Sequence, residues 1–160
     1  MIVLLKPRPW WAFFMPQGVW FTISPCIYYP RTFTNAVAAL NRIEIIQHEL
    51  VHVSQQQCHS RFSWLAKYFY SRSFRLQMEV AAIARECYQF HEDTKWVNAT
   101  IDGYADALYG WGYFHAASSK QNAKDLITAA LKRLIMENTM RMPLGTHVSA
   151  DNKTATLEVL

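Results

Sequence analysis

The sequence predicts an α+β protein, mostly helical, and three observations carry that expectation. Val19 to Ile27 is rich in aromatic and β-branched side chains that alternate imperfectly, and Ile2 to Leu5 is a short apolar run of the same kind. From Asn35 the apolar residues recur at spacings of three and four. That helical spacing persists, with interruptions, to about Met140. At 160 residues, with 51% hydrophobic and 14% aromatic composition, the chain has the length and apolar content of one globular domain whose rings are mostly packed.

Taken in order, strands are expected at about 2–5, 18–23 and 26–29, with Ser24-Pro25 as the turn between the last two. Pro25 and Pro30 confine this ribbon to an edge or an irregular position, because proline cannot donate to a ladder. Pro9 to Tyr29 has no charged residue and is long enough to span a bilayer. Pro9, Pro16, Gly18, Pro25 and the following Pro30 interrupt it, and its aromatics are spread throughout, so no membrane span is expected. Lys6 and Arg8 are followed by prolines and bulky rings with no small-residue cleavage site, which argues against a signal peptide.

One helix is expected from Asn35 through Val53, with Val37, Leu40, Ile43, Ile46 and Leu50 along its stripe. Further helices are expected at Phe62 to Phe69, Phe74 to Phe90, Ala99 to Tyr109 and Ser119 to Met140. Gly103, Gly110 and Gly112 loosen the region between the last two. After Pro143 and Gly145 the residues are mostly polar and small, so 1–145 reads as a single domain and 146–160 as a mobile tail. There is no internal repeat.

The net charge of +4 is modest, and the basic residues do not form one stripe, so no nucleic-acid partner is expected. Arg61 to Arg75 reads as a solvated helix face. Cys26, Cys58 and Cys87 form no spaced pair, which points to a reducing compartment such as the cytoplasm. Cys58 reads as a small buried hydrophobe. Without a Cys-x-x-Cys there is no zinc-ribbon accessory site.

His48-Glu49-Leu50-Val51-His52 is a complete His-Glu-x-x-His motif within the predicted helix. Histidines four apart share a face, with Cβ atoms roughly 5–6 Å apart, so both imidazoles can bind one Zn²⁺. Glu49 falls beside that site, where a carboxylate can take the proton of an attacking water. A catalytic zinc usually has three protein ligands. The metzincin extension would require Gly at position 55 and His at position 58, where this chain has Gln55 and Cys58. The remaining candidates are Glu79 and Glu86, separated by about 10 Å of helix rise and therefore unable to share one metal. The small residues after Glu79, at Ala81, Ala82 and Ala84, favour it.

With these residues in view, the chain resembles the gluzincins, zinc peptidases with two histidines from such a helix and a glutamate from a following one. More closely, His48 to Gln56 followed by Met78-Glu79-Val80-Ala81-Ala82, and preceded by Ile27-Tyr28-Tyr29-Pro30, looks like small metallopeptidases encoded by phages and bacteria. The resemblance covers roughly residues 18–112. It implies a zincin-like, minimal gluzincin fold with a short β-ribbon packed on the motif helix. It also implies His48, His52 and Glu79 as zinc ligands and Glu49 as general base, acting on a peptide or protein substrate.

A developing oxyanion needs a further donor, and Tyr104 is the first candidate, ahead of Tyr109 and His115. Glu44 or Asp102 could orient a ligand histidine through its second ring nitrogen. The ribbon around Val19 to Ile27 could hold an extended peptide by strand addition. The alternative to a peptidase is a zinc-binding structural or virion-associated protein with little turnover, and a phage-virion or regulatory protein partner is open on either reading. A regulatory peptidase would need a separate DNA-binding partner, because no helix-turn-helix is evident.

Overall fold

Alternation in β1 (Ile2–Pro7) puts Val3 and Leu5 on one face, and both are completely buried. The computed structural model describes residues 2–13, 18–138, 146–150 and 154–159. Pro16, Pro143, Gly145 and the predicted helix end at Met140 lie outside the described residues. Where the sequence predicts one domain, the chain divides into two compact units: Met1–Cys58 with Pro143–Leu160, and His59–Met142.

The first unit holds a five-stranded sheet. β2 (Phe21–Ile23) and β3 (Cys26–Tyr29) form an antiparallel hairpin about Ser24-Pro25, and β3 runs parallel to β1 with Leu5 opposite Ile27. Two further strands, β4 (Thr146–Ala150) and β5 (Ala155–Val159), complete the order β2-β3-β1-β5-β4. The expectation of a mobile tail over 146–160 is therefore corrected. β5 pairs antiparallel with β1, and Ala155 and Leu157 are buried in the same cluster as Val3 and Leu5. Of the predicted edge ribbon, β2 is an outer strand, whereas β3 lies between β2 and β1 and escapes the proline restriction because Pro25 and Pro30 fall just outside it.

Two helices cover this sheet where one is expected. α1 (Ala36–Leu40) is capped by Asn35, whose Oδ1 accepts from the Ala38 N–H at 2.8 Å. The chain leaves helical geometry at Arg42 and re-enters as α2 (Ile43–Gln57). The break changes which residues face inward. Ala36 and Ala39 are buried, whereas Val37 and Ile43 of the predicted stripe are 49% and 41% exposed. Beyond it the prediction holds, with Ile46, Leu50 and Val53 packed on Ile27 and Tyr29.

The second unit is helical: α3 (Arg61–Tyr70), α4 (Arg72–Tyr88), α5 (Thr94–Tyr109) and α6 (Lys120–Asn138). Ser60, Ser71, Asp93 and Ser119 each accept from a backbone N–H three residues on, which satisfies orphan donors at all four starts. The core joins Ile83, Ala84 and Cys87 of α4 to Ile101, Ala105 and Leu108 of α5 and to Ala123, Ile127 and Leu131 of α6. Gly110 ends α5, where a Cβ would stand 3.0 Å from the Asp106 carbonyl oxygen. That contact is tight enough to require movement. Gly103, in contrast, lies inside α5 with open space around it.

Two further expectations are corrected. Arg75 is not on a solvated face: it is 4% exposed, and its guanidinium donates to the carbonyls of Tyr68, Phe69, Tyr113 and Phe114. Cys58, at the C-terminal end of α2, is exposed. Among the described residues no helix is long and apolar enough to cross a membrane.

Candidate metal centre

α2 carries the whole His-Glu-x-x-His motif, and the helix turns His48, Glu49 and His52 inward, at 5%, 5% and 7% exposure. The two imidazole rings stand 5.0 Å apart between centroids at 74°, as one helical turn of separation requires.

Each of the latter two motif side chains has a local partner that positions it. The Thr22 hydroxyl, on β2, donates to Glu49 Oε2 at 2.7 Å. His52 Nδ1 lies 2.8 Å from Gln55 Oε1. An amide oxygen only accepts, so that contact assigns the ring proton to Nδ1 and the lone pair to Nε2, the form a metal-ligating imidazole needs. One residue further on, the Gln56 carboxamide accepts from Ser24 N at 2.9 Å and donates to Thr22 O at 3.0 Å. This clamp holds the strand that carries Thr22 to the helix that carries Glu49. It also occupies two backbone groups of the outer strand, so peptide addition at Thr22 to Ser24 would have to displace Gln56.

In the helical unit, Glu79 and Glu86 lie on α4 and are 1% and 5% exposed. The Tyr68 hydroxyl donates to Glu79 Oε1, and the Tyr68 ring is stacked on Trp64 at 4.8 Å. The Tyr104 hydroxyl donates to Glu86 Oε2 at 2.7 Å. Burial first, and then the Glu86 carboxylate, push the Tyr104 phenol far above its ordinary value, so it remains a proton carrier. Its proton is engaged by Glu86, and donation to an oxyanion would require that bond to open.

His48, His52 and Glu79 each offer one ligand atom, and these atoms lie within 4.8 Å of one another. A group of this kind could hold a metal ion. Two imidazole nitrogens and one carboxylate oxygen are a donor set that suits a borderline-soft divalent ion. Glu86 is not part of the group.

No protein-family model, curated protein or solved structure matches the chain. The reading of this centre therefore rests on its own residues.

The two acids expected to orient a histidine are engaged elsewhere. Glu44 pairs with Arg42, and Asp102 pairs with Lys124 at 2.7 Å on an exposed surface. Gln55 takes the role at His52 instead. Its spacing of three after His52 is the signal that could have found it, since such residues are neighbours on a helix. Tyr68 at Glu79 has no comparable signal, because it belongs to a different helix. Tyr109 is 45% exposed, and its carbonyl lies 2.6 Å from His115 Nδ1. That contact leaves the pair stabilising the Gly110 loop.

Proposed function

We propose that the protein is a zinc-dependent metallopeptidase in which His48, His52 and Glu79 hold the metal and Glu49 is the general base. The observation that carries this reading is the convergence of the three donor atoms within 4.8 Å, with an acid lying between the two histidines in sequence. A purely structural zinc site has no use for that acid.

Zinc bound there would acidify a water and polarise a peptide carbonyl. The chain's own residues would do the rest. Thr22 holds Glu49 Oε2, which directs proton uptake to Oε1. Glu49 then carries that proton to the departing amine nitrogen. Gln55 keeps the His52 Nδ1 protonated, and Tyr68 orients the Glu79 carboxylate.

The burial of all four side chains, none more than 7% exposed, favours a second reading: a metal-binding structural or virion-associated protein with little turnover. One set of variants separates the two. Metal content is measured for the wild type, Glu79→Ala, Glu86→Ala and Glu49→Gln, alongside hydrolysis of fluorogenic casein. On the peptidase reading Glu79→Ala loses tight zinc and Glu86→Ala retains it, while Glu49→Gln keeps the metal and loses turnover by about 10²–10⁴-fold. Bound zinc with no wild-type hydrolysis selects the structural reading. Tight zinc in Glu79→Ala removes the ligand assignment.

A further inference from the structure

α3 is apolar on the face it turns to solvent as well as on the face it buries. Trp64 is 4% exposed, yet Phe62, Phe69 and Tyr70 are 88%, 60% and 91% exposed. An amphipathic surface helix would place polar residues at those outward positions. Beside the C-terminal end of α3 runs a second exposed aromatic segment, Gly110 to His115, in which Trp111 and Phe114 are 79% and 56% exposed.

The two segments are joined by buried Arg75, which donates to the Tyr68 and Phe69 carbonyls on one side and to the Tyr113 and Phe114 carbonyls on the other. Its guanidinium also lies 5.5 Å from the Phe114 ring centroid. Phe114 and His115 both adopt left-handed backbone, at φ 50° and 51°. Two successive non-glycine residues in that region are strained and persist only where the surroundings impose the conformation. The backbone that carries Phe69 and Phe114 is thus tied to one buried guanidinium.

The charge beside them is mostly positive, and exposed Asp106, one turn before Gly110, is paired with Lys120. There is no Asp or Glu from Leu50 to Met78, nor from Ala107 to Lys124. Lys67 and Arg72 are exposed. Next to Tyr70 opens a basin of about 630 Å³ whose lining includes Arg72, Ser71, Ser73, Ser118 and Asn122. Hydroxyls, an amide and a cation suit a phosphoester headgroup.

We infer that this face of the helical unit docks on an anionic bilayer surface, with Phe62, Phe69, Tyr70, Trp111 and Phe114 entering the interface and the Arg72 basin receiving a lipid phosphate. Aromatic rings with flanking cations are the combination that partitions at headgroup level. Single-stranded nucleic acid fits less well. Tracking a phosphate backbone requires several available cations, whereas Arg75 is used on four carbonyls and Arg72, with its Nε and one Nη on the carbonyls of Ala116 and Ala117, has one guanidinium nitrogen left for a single phosphate. A second copy would bring the same positive face to itself.

The test is flotation of the full chain with phosphatidylcholine vesicles and with vesicles containing about one-third phosphatidylserine, beside anisotropy with a single-stranded RNA and sedimentation velocity. Binding to the anionic vesicles, with a blue shift of Trp emission, is expected. The doubly substituted Phe69→Ser, Tyr70→Ser protein should bind at least about tenfold more weakly, with its circular dichroism unchanged. Val37→Ser, an exposed apolar change in the other unit, should leave binding intact. Failure to float, equal binding by the double variant, or RNA binding or self-association in place of vesicle binding would each overturn the inference. None of these readouts depends on zinc or turnover.

Discussion

The strand-bearing unit and the helical unit hold their carboxylates in different ways. Glu49 is held by a hydroxyl from the outer strand, and the Gln56 clamp keeps that strand and the Glu49 helix in register. Glu79 and Glu86, in the helical unit, are each held by a phenol from a separate helix, Tyr68 on α3 and Tyr104 on α5. A short threonine engages one carboxylate oxygen and adds little bulk. A tyrosine reaches across an inter-helix gap and brings a large apolar ring, while all three acids are buried alike, at 5%, 1% and 5% exposure for Glu49, Glu79 and Glu86. The comparison separates a carboxylate held from a strand from two carboxylates held across helix pairs; on the proposed function the first serves proton transfer and Glu79 serves coordination.

The sharpest way to break that distinction is at the acids themselves. On the proposed function, Glu79→Gln should weaken zinc binding in a chelator competition far more than Glu86→Gln, because of the two only Glu79 belongs to the group of converging donor atoms. Similar affinities in the two variants would erase the difference between them. Next in size is the loss of a positioning hydroxyl. Tyr68→Phe should weaken zinc binding by roughly 10–100-fold, while Tyr104→Phe should leave it unchanged. Thr22→Val should lower turnover at constant zinc affinity; a fall in affinity instead would make Thr22 part of the metal scaffold.

Smaller effects report on the scaffold. Gln56→Ala strands the Ser24 N–H and Thr22 C=O groups in a buried setting. It should destabilise the protein by about 1–3 kcal/mol in urea unfolding. In the helical unit, burial and then Glu86 push the Cys87 thiol up to about 12, and Tyr104 is raised for the same reasons. Both are acids with raised folded values, so their contribution is complete below the unfolded values of about 9 and 10 and is lost as pH rises through the folded ones. Alkaline titration of Tm should therefore show a decline beginning above about pH 9. The smallest effect is kinetic: iodoacetamide should modify exposed Cys58 readily and leave buried Cys87 untouched in the native protein.

The two units also differ in how far their sequence could be read. α3 to α6 follow from local periodicity, with ends shifted by up to five residues, as at the start of α5. The sheet was only half legible. Ala155, Leu157 and Val159 alternate as a strand should, but the surrounding residues are small and polar, and their partner β1 lies at the other end of the chain. A ladder between chain ends leaves no local signal. The division at Arg42 was hidden for a different reason: Val37, Leu40, Ile43 and Ile46 keep helical spacing in sequence across the break, although the structure buries Ala36 and Ala39 and exposes Val37 and Ile43.

His48, Glu49 and His52 were determined by sequence alone, because helical geometry converts a spacing of four into a shared face. The same geometry makes Gln55 a neighbour of His52. Only the tertiary structure decided that a donor atom of Glu79, and not of Glu86, falls within 4.8 Å of those of His48 and His52, that Thr22 holds Glu49, and that Tyr68 stands at Glu79 and Tyr104 at Glu86. Those contacts join residues from different elements, and their partners are set by packing, which no spacing along the chain encodes.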